Sequence, residues 1–318
     1  MIAMDSKARA AITAPRIFRF SDVDEFRSSI RSLNVDFTPL VKTISAEQRV
    51  LALPGCELVL SKTFPRVVDA QLSRNCTAIG FTMEDETPIV FNGAGADKPA
   101  IAIGRKGAWY SAVEKAANRS ALIFFDLSLE DRGWPQTGEK FCVFETSSAA
   151  QRWLRQLMLQ IFAIASSGLD TVDVDGTAAG IKESLFAGID AAFADVVTAK
   201  WTSRANSTRQ LKLFQDIRAA LSGNVSRPIY SQELAQEFGV SVRSMHDAVW
   251  RSRGMSLHRY LRLRRLWLVR KRLLAGAHSV KDCALAFGFW HLGDFARSYR
   301  SQFGESPSNT LARSSTMR

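Results

Sequence analysis

Cysteine and histidine are scarce in this chain of 318 residues, which holds four of each. Cys56, Cys76, Cys142 and Cys283 form no CxxC pair and no cluster. That spacing excludes a disulfide scaffold and thiolate zinc knots, and it fits a reducing compartment. The histidines, His246, His258, His278 and His291, all come late. A metal site built on histidine needs two or three imidazoles with a carboxylate, and the first 245 residues have no imidazole to offer. For the same reason Ser111, Ser120 and Cys142 lack a histidine that could activate them as nucleophiles. No cofactor and no bound metal are expected. Long apolar runs are missing too. The stretch LMLQIFAIA, ending at Ala165, is far shorter than the roughly 18 residues of a membrane span and holds Gln160. The N-terminus has no continuous apolar segment of the secretory kind. A cytoplasmic protein with no membrane partner is the expectation.

What is present is unevenly placed. Residues 1–203 carry 22 Lys+Arg against 24 Asp+Glu, whereas residues 204–318 carry 20 against 7, and 17 of those 20 are Arg. The whole net charge of +11 therefore comes from the last third. The planar fork of Arg pairs with phosphate and with guanine edges. A basic segment joined to a near-neutral one suggests a nucleic-acid-binding domain, residues 204–318, beside a separate domain, residues 1–203. Length agrees with two domains.

Periodicity changes along the chain. Ser21–Ile30 (SDVDEFRSSI) reads as a short helix capped by Ser21, with Asp24 and Glu25 at its positive end. Between Arg49 and Phe144, short apolar runs alternate with turn residues, among them the hairpin signal Asn92-Gly93. That texture predicts a β-rich sandwich or barrel. From Ser147 the period is helical: Trp153, Leu154, Leu157, Met158, Ile161, Phe162 and Ala165 recur at three and four. A second helix, Ala178–Ala199, places Ile181, Leu185, Ile189 and Phe193 on one face; Thr202–Thr208 reads as a polar linker. The acidic stretches Glu84–Glu86 and Asp170–Asp175 read as solvated loops. Trp109, Tyr110, Phe124 and Phe125 are core residues or the lining of an effector pocket.

Two short helix pairs follow, each with a glycine turn. In the first, Ser231 caps a helix, Leu234, Ala235 and Phe238 face inward, Gly239 turns the chain, and Ser241 caps a helix that buries Met245 and Val249. In the second, Ser279 caps, Ala284 and Phe287 face inward, Gly288 turns, and Phe295, Tyr299 and Phe303 recur at i, i+4, i+8, with Leu292 expected to join them. Gly304 stops that helix, and Pro307 starts a last one. The Arg-rich stretch from Leu257 to Ala275 is a helix with apolar groups on several faces, fit to join both units; its arginines read as phosphate contacts or solvated groups.

The spacing Ala284-x-x-x-Gly288-Phe289, then Phe295-x-x-x-Tyr299-x-x-x-Phe303-Gly304-x-x-Pro307-Ser308, resembles the C-terminal signature of the AraC/XylS family of bacterial transcription regulators. The likeness covers about residues 207–312, and GFWHLGDFARSYRSQFGESPS is similar to a subgroup that includes ethanolamine-utilisation regulators. It implies an α+β fold: an N-terminal β-rich, cupin-like barrel with helices, then an all-α domain of two helix-turn-helix units joined by a long helix. It also implies double-stranded DNA and RNA polymerase as partners, a small-molecule effector, and either a monomer or a homodimer that acts as an activator by recruiting polymerase or as a repressor by blocking it. Two recognition helices would enter successive major grooves about 34 Å apart. The DNA-contacting candidates are the residues off the buried faces: Arg243, His246, Asp247 and Trp250 in the first unit, and His291, Asp294, Arg297 and Arg300 in the second. Trp290 either packs on the sugar-phosphate or closes the helix start. Two positions depart from the family pattern. Gly293 stands where Ser is frequent, and Asp247, able to accept from cytosine N4, stands where many members are basic. A competing reading is a cupin-type enzyme tethered to nucleic acid by a basic tail; the missing histidines argue against it.

Overall fold

Alternating large and small side chains shape the first half. In this computed structural model, which describes residues 14–73, 76–84, 89–95, 99–126, 129, 132–135, 140–167, 174–196, 205–223 and 228–316, the fold is α+β. Two compact units divide near Thr202–Ser203. The first contains β1 (Arg16–Phe20), α1 (Val23–Ser29), β2 (Leu33–Pro39), β3 (Ala46–Leu53), β4 (Cys56–Thr63), β5 (Arg66–Leu72) and β6 (Thr77–Thr82). It continues through β7 (Ile89–Phe91), β8 (Ala94–Gly95), β9 (Ala100–Gly104), β10 (Trp109–Glu114), β11 (Asn118–Phe125) and β12 (Phe141–Glu145) to α2 (Ser148–Ser166) and α3 (Val174–Ala194). The strands form a seven-stranded sheet, β1-β3-β4-β11-β6-β9-β12, and a five-stranded sheet, β2-β5-β10-β7-β8. Among the described residues neither sheet closes on itself, so the β-rich half is built as two sheets.

Each strand of the larger sheet sends alternate residues to opposite faces. Leu58, Ile79, Phe81, Ile101, Ile103, Ile123 and Phe144 join a core with Leu154, Met158 and Ile161 of α2 and Leu185, Ile189 and Phe193 of α3. Half of the residues on the other face are small, Ala52, Ser61, Ala78, Gly80, Ala102, Gly104 and Ser120, set among Val50, Val59, Leu122, Phe124 and Val143. Register sets these small residues side by side, Gly80 opposite Ala102 and Ala78 opposite Gly104. They cannot fill the space behind them, and the unit encloses a cavity of about 1080 Å³. Tyr110 and Phe124 line it, and Phe125 belongs to the helix-facing core. Burial pushes the thiols of Cys56 and Cys76 up to about 11.

Several local expectations need correction. Strands begin at Arg16, well before Arg49, because β2 alternates buried and exposed residues over a stretch with no flanking glycine to mark it. The cap of α1 is Asp22, whose carboxylate accepts from the Asp24 and Glu25 amides, in place of Ser21. Asn92 and Gly93 do form the two-residue turn between β7 and β8, both with left-handed φ, 50° and 83°. Ser147 caps α2, accepting from the Ala150 amide. Trp153, one of the apolar residues at helical spacing, is 48% exposed. It covers Gly188 of α3, where a Cβ would collide with its ring. The acidic stretches 85–86 and 170–173 lie outside the described residues.

The second unit is helical: α4 (Ala205–Gly223), α5 (Ser231–Glu237), α6 (Val242–Arg253), α7 (Leu257–Leu274), α8 (Val280–Ala286), α9 (Leu292–Phe303) and α10 (Pro307–Thr316). The stretch read as a linker is helix from Ala205 onward, and residues 202–204 lie outside the described set. The polar sequence TSRANST hid this helix, whose apolar face begins only further on; Phe214, Ile217 and Leu221 are buried. Helix α4 packs on α6.

Candidate nucleic-acid interface

Both glycine turns are left-handed, φ 60° at Gly239 and 74° at Gly288, as a non-glycine residue would adopt only with strain. After the first turn, the Ser241 hydroxyl accepts from the Ser244 amide and starts α6. Met245, Ala248 and Val249 are buried beneath it. On the outer side Arg243, His246, Asp247 and Trp250 are all exposed. The His246 and Trp250 rings stack, 6.2 Å between centroids at 12°, and the Asp247 carboxylate lies 3.8 Å from His246 Nδ1. Ser231, expected as a cap, is the first residue of α5; Tyr230 occupies the cap position, with no side-chain bond there.

The second unit repeats the plan. Ser279 caps α8 by accepting from the Asp282 amide. Phe289, Phe295, Tyr299 and Phe303 form a ladder of rings with successive centroids 5.0, 5.6 and 4.6 Å apart. His291, Asp294, Arg297 and Arg300 stand away from that ladder, all exposed. Arg297 Nη1 donates to Asp294 Oδ1 at 3.1 Å. Leu292, expected in the core, is exposed, because it opens α9 one turn ahead of the ladder. Trp290 is 70% exposed. Val242, in the first turn of α6, is a further exposed apolar residue that periodicity did not single out. A non-polar side chain in the first turn after a capped glycine turn was the available signal.

Gly293 lies in the first turn of α9 with open space where a Cβ would be. Gly293→Ala is therefore expected to stabilise the unit by about 0.5–1 kcal/mol, read as a raised thermal midpoint. A lowered midpoint would show that this backbone needs glycine.

Helix α7 joins the units, and its arginines do structural work that the sequence reading assigned to phosphate or solvent. Arg262 Nη2 donates to Ser298 Oγ of α9 at 2.6 Å. Arg265 lies over the rings of Tyr230 and Phe289, 5.7 and 5.1 Å from their centroids, and its Nη1 donates to the Gly288 carbonyl. It touches the entry of the first unit and the turn of the second. A Cβ on Gly288 would meet the Tyr230 hydroxyl at 2.9 Å, and the left-handed φ is what favours glycine there. Arg270 is 3% exposed on its side chain and donates to Glu305 Oε1 at 2.6 Å. The same carboxylate accepts from Arg313 and from Thr310, whose hydroxyl in turn accepts from Tyr299. At the N-terminal end of α7, Ser256 caps, accepting from the Arg259 amide.

Two exposed, amphipathic second helices follow glycine turns and are braced by one shared helix. Residues 234–313 match the family described as a helix-turn-helix domain. Over 207 residues the chain is 29% identical to XylDLEGF operon transcriptional activator 1 of Pseudomonas putida, covering 63% of this chain and 59% of that protein. Over 114 residues it is 35% identical to XylDLEGF operon transcriptional activator 3 of the same species, covering 35% and 34%. The matches thus span less than two thirds of these relatives' length. Among solved structures, a probable AraC family transcriptional regulator from Rhodopseudomonas palustris CGA009 is 37% identical, covering 32% of this chain and 97% of that one, with a TM-score of 0.30. The C-terminal segment is a DNA-binding helix-turn-helix domain.

Proposed function

We propose that the whole chain is a sequence-specific transcription regulator and not an enzyme. Helices α6 and α9 enter successive major grooves on one face of double-stranded DNA. Arg243, His246, Asp247 and Trp250 meet the first groove, and His291, Asp294, Arg297 and Arg300 the second. Arginine contacts to phosphate set register, and groove-facing side chains specify bases. The observation that supports this most is that all eight residues are exposed on two helices whose opposite sides are buried. The N-terminal β-rich domain, residues 1–203, serves as the sensor of a small-molecule effector and as the contact between copies in a homodimer. RNA polymerase is the downstream partner and the cytoplasm the site of action. Activation is the sign favoured by the names of the Pseudomonas relatives. The likeness of residues 288–308 to ethanolamine-utilisation regulators is a narrower proposal within the same reading.

The test is selection of a duplex from a random pool by the full chain, followed by mobility shifts at rising salt. A binder with 6–10 phosphate contacts loses about 10³–10⁵-fold affinity between about 50 and 200 mM salt. A steep, linear log–log loss is expected. A flat response, or equal affinity for unrelated duplexes, contradicts the proposal.

A further inference from the structure

The cavity of the first unit has a polar end built at the corner where one strand pair passes from sheet to sheet. Strand β4 ends and β11 begins there in the larger sheet, with Thr63 opposite Asn118. Strand β5 begins and β10 ends there in the smaller sheet, with Arg66 opposite Glu114. Glu114 Oε2 accepts from Thr63 Oγ1 at 2.9 Å and from Arg66 Nε at 3.1 Å, and Oε1 accepts from Arg66 Nη2 at 3.2 Å. Arg66 is 8% exposed and also lies 4.5 Å from the centroid of Phe37. With the Phe26 and Phe64 rings 5.4 and 5.8 Å away, its charge is answered by one carboxylate and three rings.

Three polar atoms at this corner have no hydrogen-bond partner among the described residues: Arg66 Nη1 and both amide atoms of Asn118. Asn118 is 1% exposed, and both residues line the cavity. Buried donors and acceptors left unpaired are costly, so these atoms favour a ligand that pairs with them. The two donors and one acceptor are complementary to a head that accepts and donates at once. Because Arg66 and Glu114 neutralise each other, an anionic head would sit unbalanced beside the Glu114 carboxylate. The other end of the cavity is apolar and aromatic, with Tyr110 stacked on Phe141 at 4.7 Å and Phe91 beside them. Arg16, Arg31 and Asp126, also in the wall, are exposed and belong to its solvent end.

We infer that this cavity binds a neutral, largely apolar molecule with a carboxamide-like head, the head held by Asn118 and Arg66 Nη1 and the body by the Phe91–Tyr110–Phe141 rings. The inference rests on the reading of the first unit as an effector sensor. The full chain is titrated calorimetrically at neutral pH with biphenyl-4-carboxamide and with biphenyl-4-carboxylate, isosteres that differ in charge. The amide is expected to bind about tenfold or more tightly than the acid, equal to about 1.4 kcal/mol. Asn118→Leu removes two unpaired polar atoms at similar volume. Its thermal midpoint is expected to hold or rise, whereas a purely structural asparagine would lower it, and the amide is expected to weaken about tenfold or more. Equal or tighter binding of the acid, no binding of either probe, or full amide affinity in Asn118→Leu overturns the inference. The comparison of the two probes on the unaltered protein decides the matter even if the variant does not fold. Mobility shifts on the same preparation keep the two readings apart. Specific DNA binding without probe binding sinks the cavity assignment alone, and loss of specific DNA binding sinks the regulator reading.

Discussion

Arg297→Ala is expected to weaken binding to the selected duplex by about 1–3 kcal/mol while leaving the fold intact. Arg297 stands on the outer side of α9, opposite the buried Phe295 and Tyr299, so its removal disturbs no packing. In the free protein its guanidinium is held by Asp294 at 3.1 Å. Exposed pairs of this kind contribute only about 0–1 kcal/mol, so the arginine can exchange its partner for DNA at small cost. The pattern of the loss identifies the contact. A phosphate contact weakens all sequences alike and lowers the salt slope by about one; a guanine contact relaxes preference at a single position. Mobility shifts on the selected duplex and its single-base variants separate the two. Unchanged affinity and unchanged preference would remove Arg297 from the interface.

Arg270→Ala is expected to cost about 3–5 kcal/mol of stability in chemical denaturation, among the largest effects of any single substitution in the second unit. The side chain is buried, and its loss removes the closest cation from Glu305 and a guanidinium 4.8 Å from the Phe303 centroid. Glu305 keeps Arg313 and Thr310, which places the expectation toward the lower end of that range. Arg259→Ala, on the same helix but exposed, serves as the contrast, with a change within about 0.5 kcal/mol. If both variants melt alike, α7 is not the structural brace described above.

How legible this was in the sequence depended on the kind of signal. The glycine turns at 239 and 288, the caps at Ser241 and Ser279, and the spacing of Phe295, Tyr299 and Phe303 are local features with one physical solution, and the structure adopts it. The exposed faces followed from the buried ones by subtraction. The roles of Arg262, Arg265 and Arg270 were not legible, because an arginine on a two-sided helix reads as solvated until the partner it meets is known. Their partners, Ser298, Gly288 and Glu305, lie 36, 23 and 35 positions away. The cavity was hidden for a related reason. A row of Ala, Gly and Ser in strands reads as weak alternation, and only the register that lines Gly80 up with Ala102 and Leu122 turns it into a hollow. The spacing of Phe295, Tyr299 and Phe303 does not carry over to Leu292, which opens α9 ahead of the packed face.

The measurement that tests the central claim most directly is a hydroxyl-radical footprint of the full chain on its selected duplex. Two protected patches on one face of the duplex, about one helical turn of 10–10.5 base pairs apart, are expected. With each variant at saturating concentration, substitution of Arg243 should weaken one patch and substitution of Arg297 the other. A single protected patch, or two patches that fade together with either substitution, would contradict two independent recognition helices on one rigid frame.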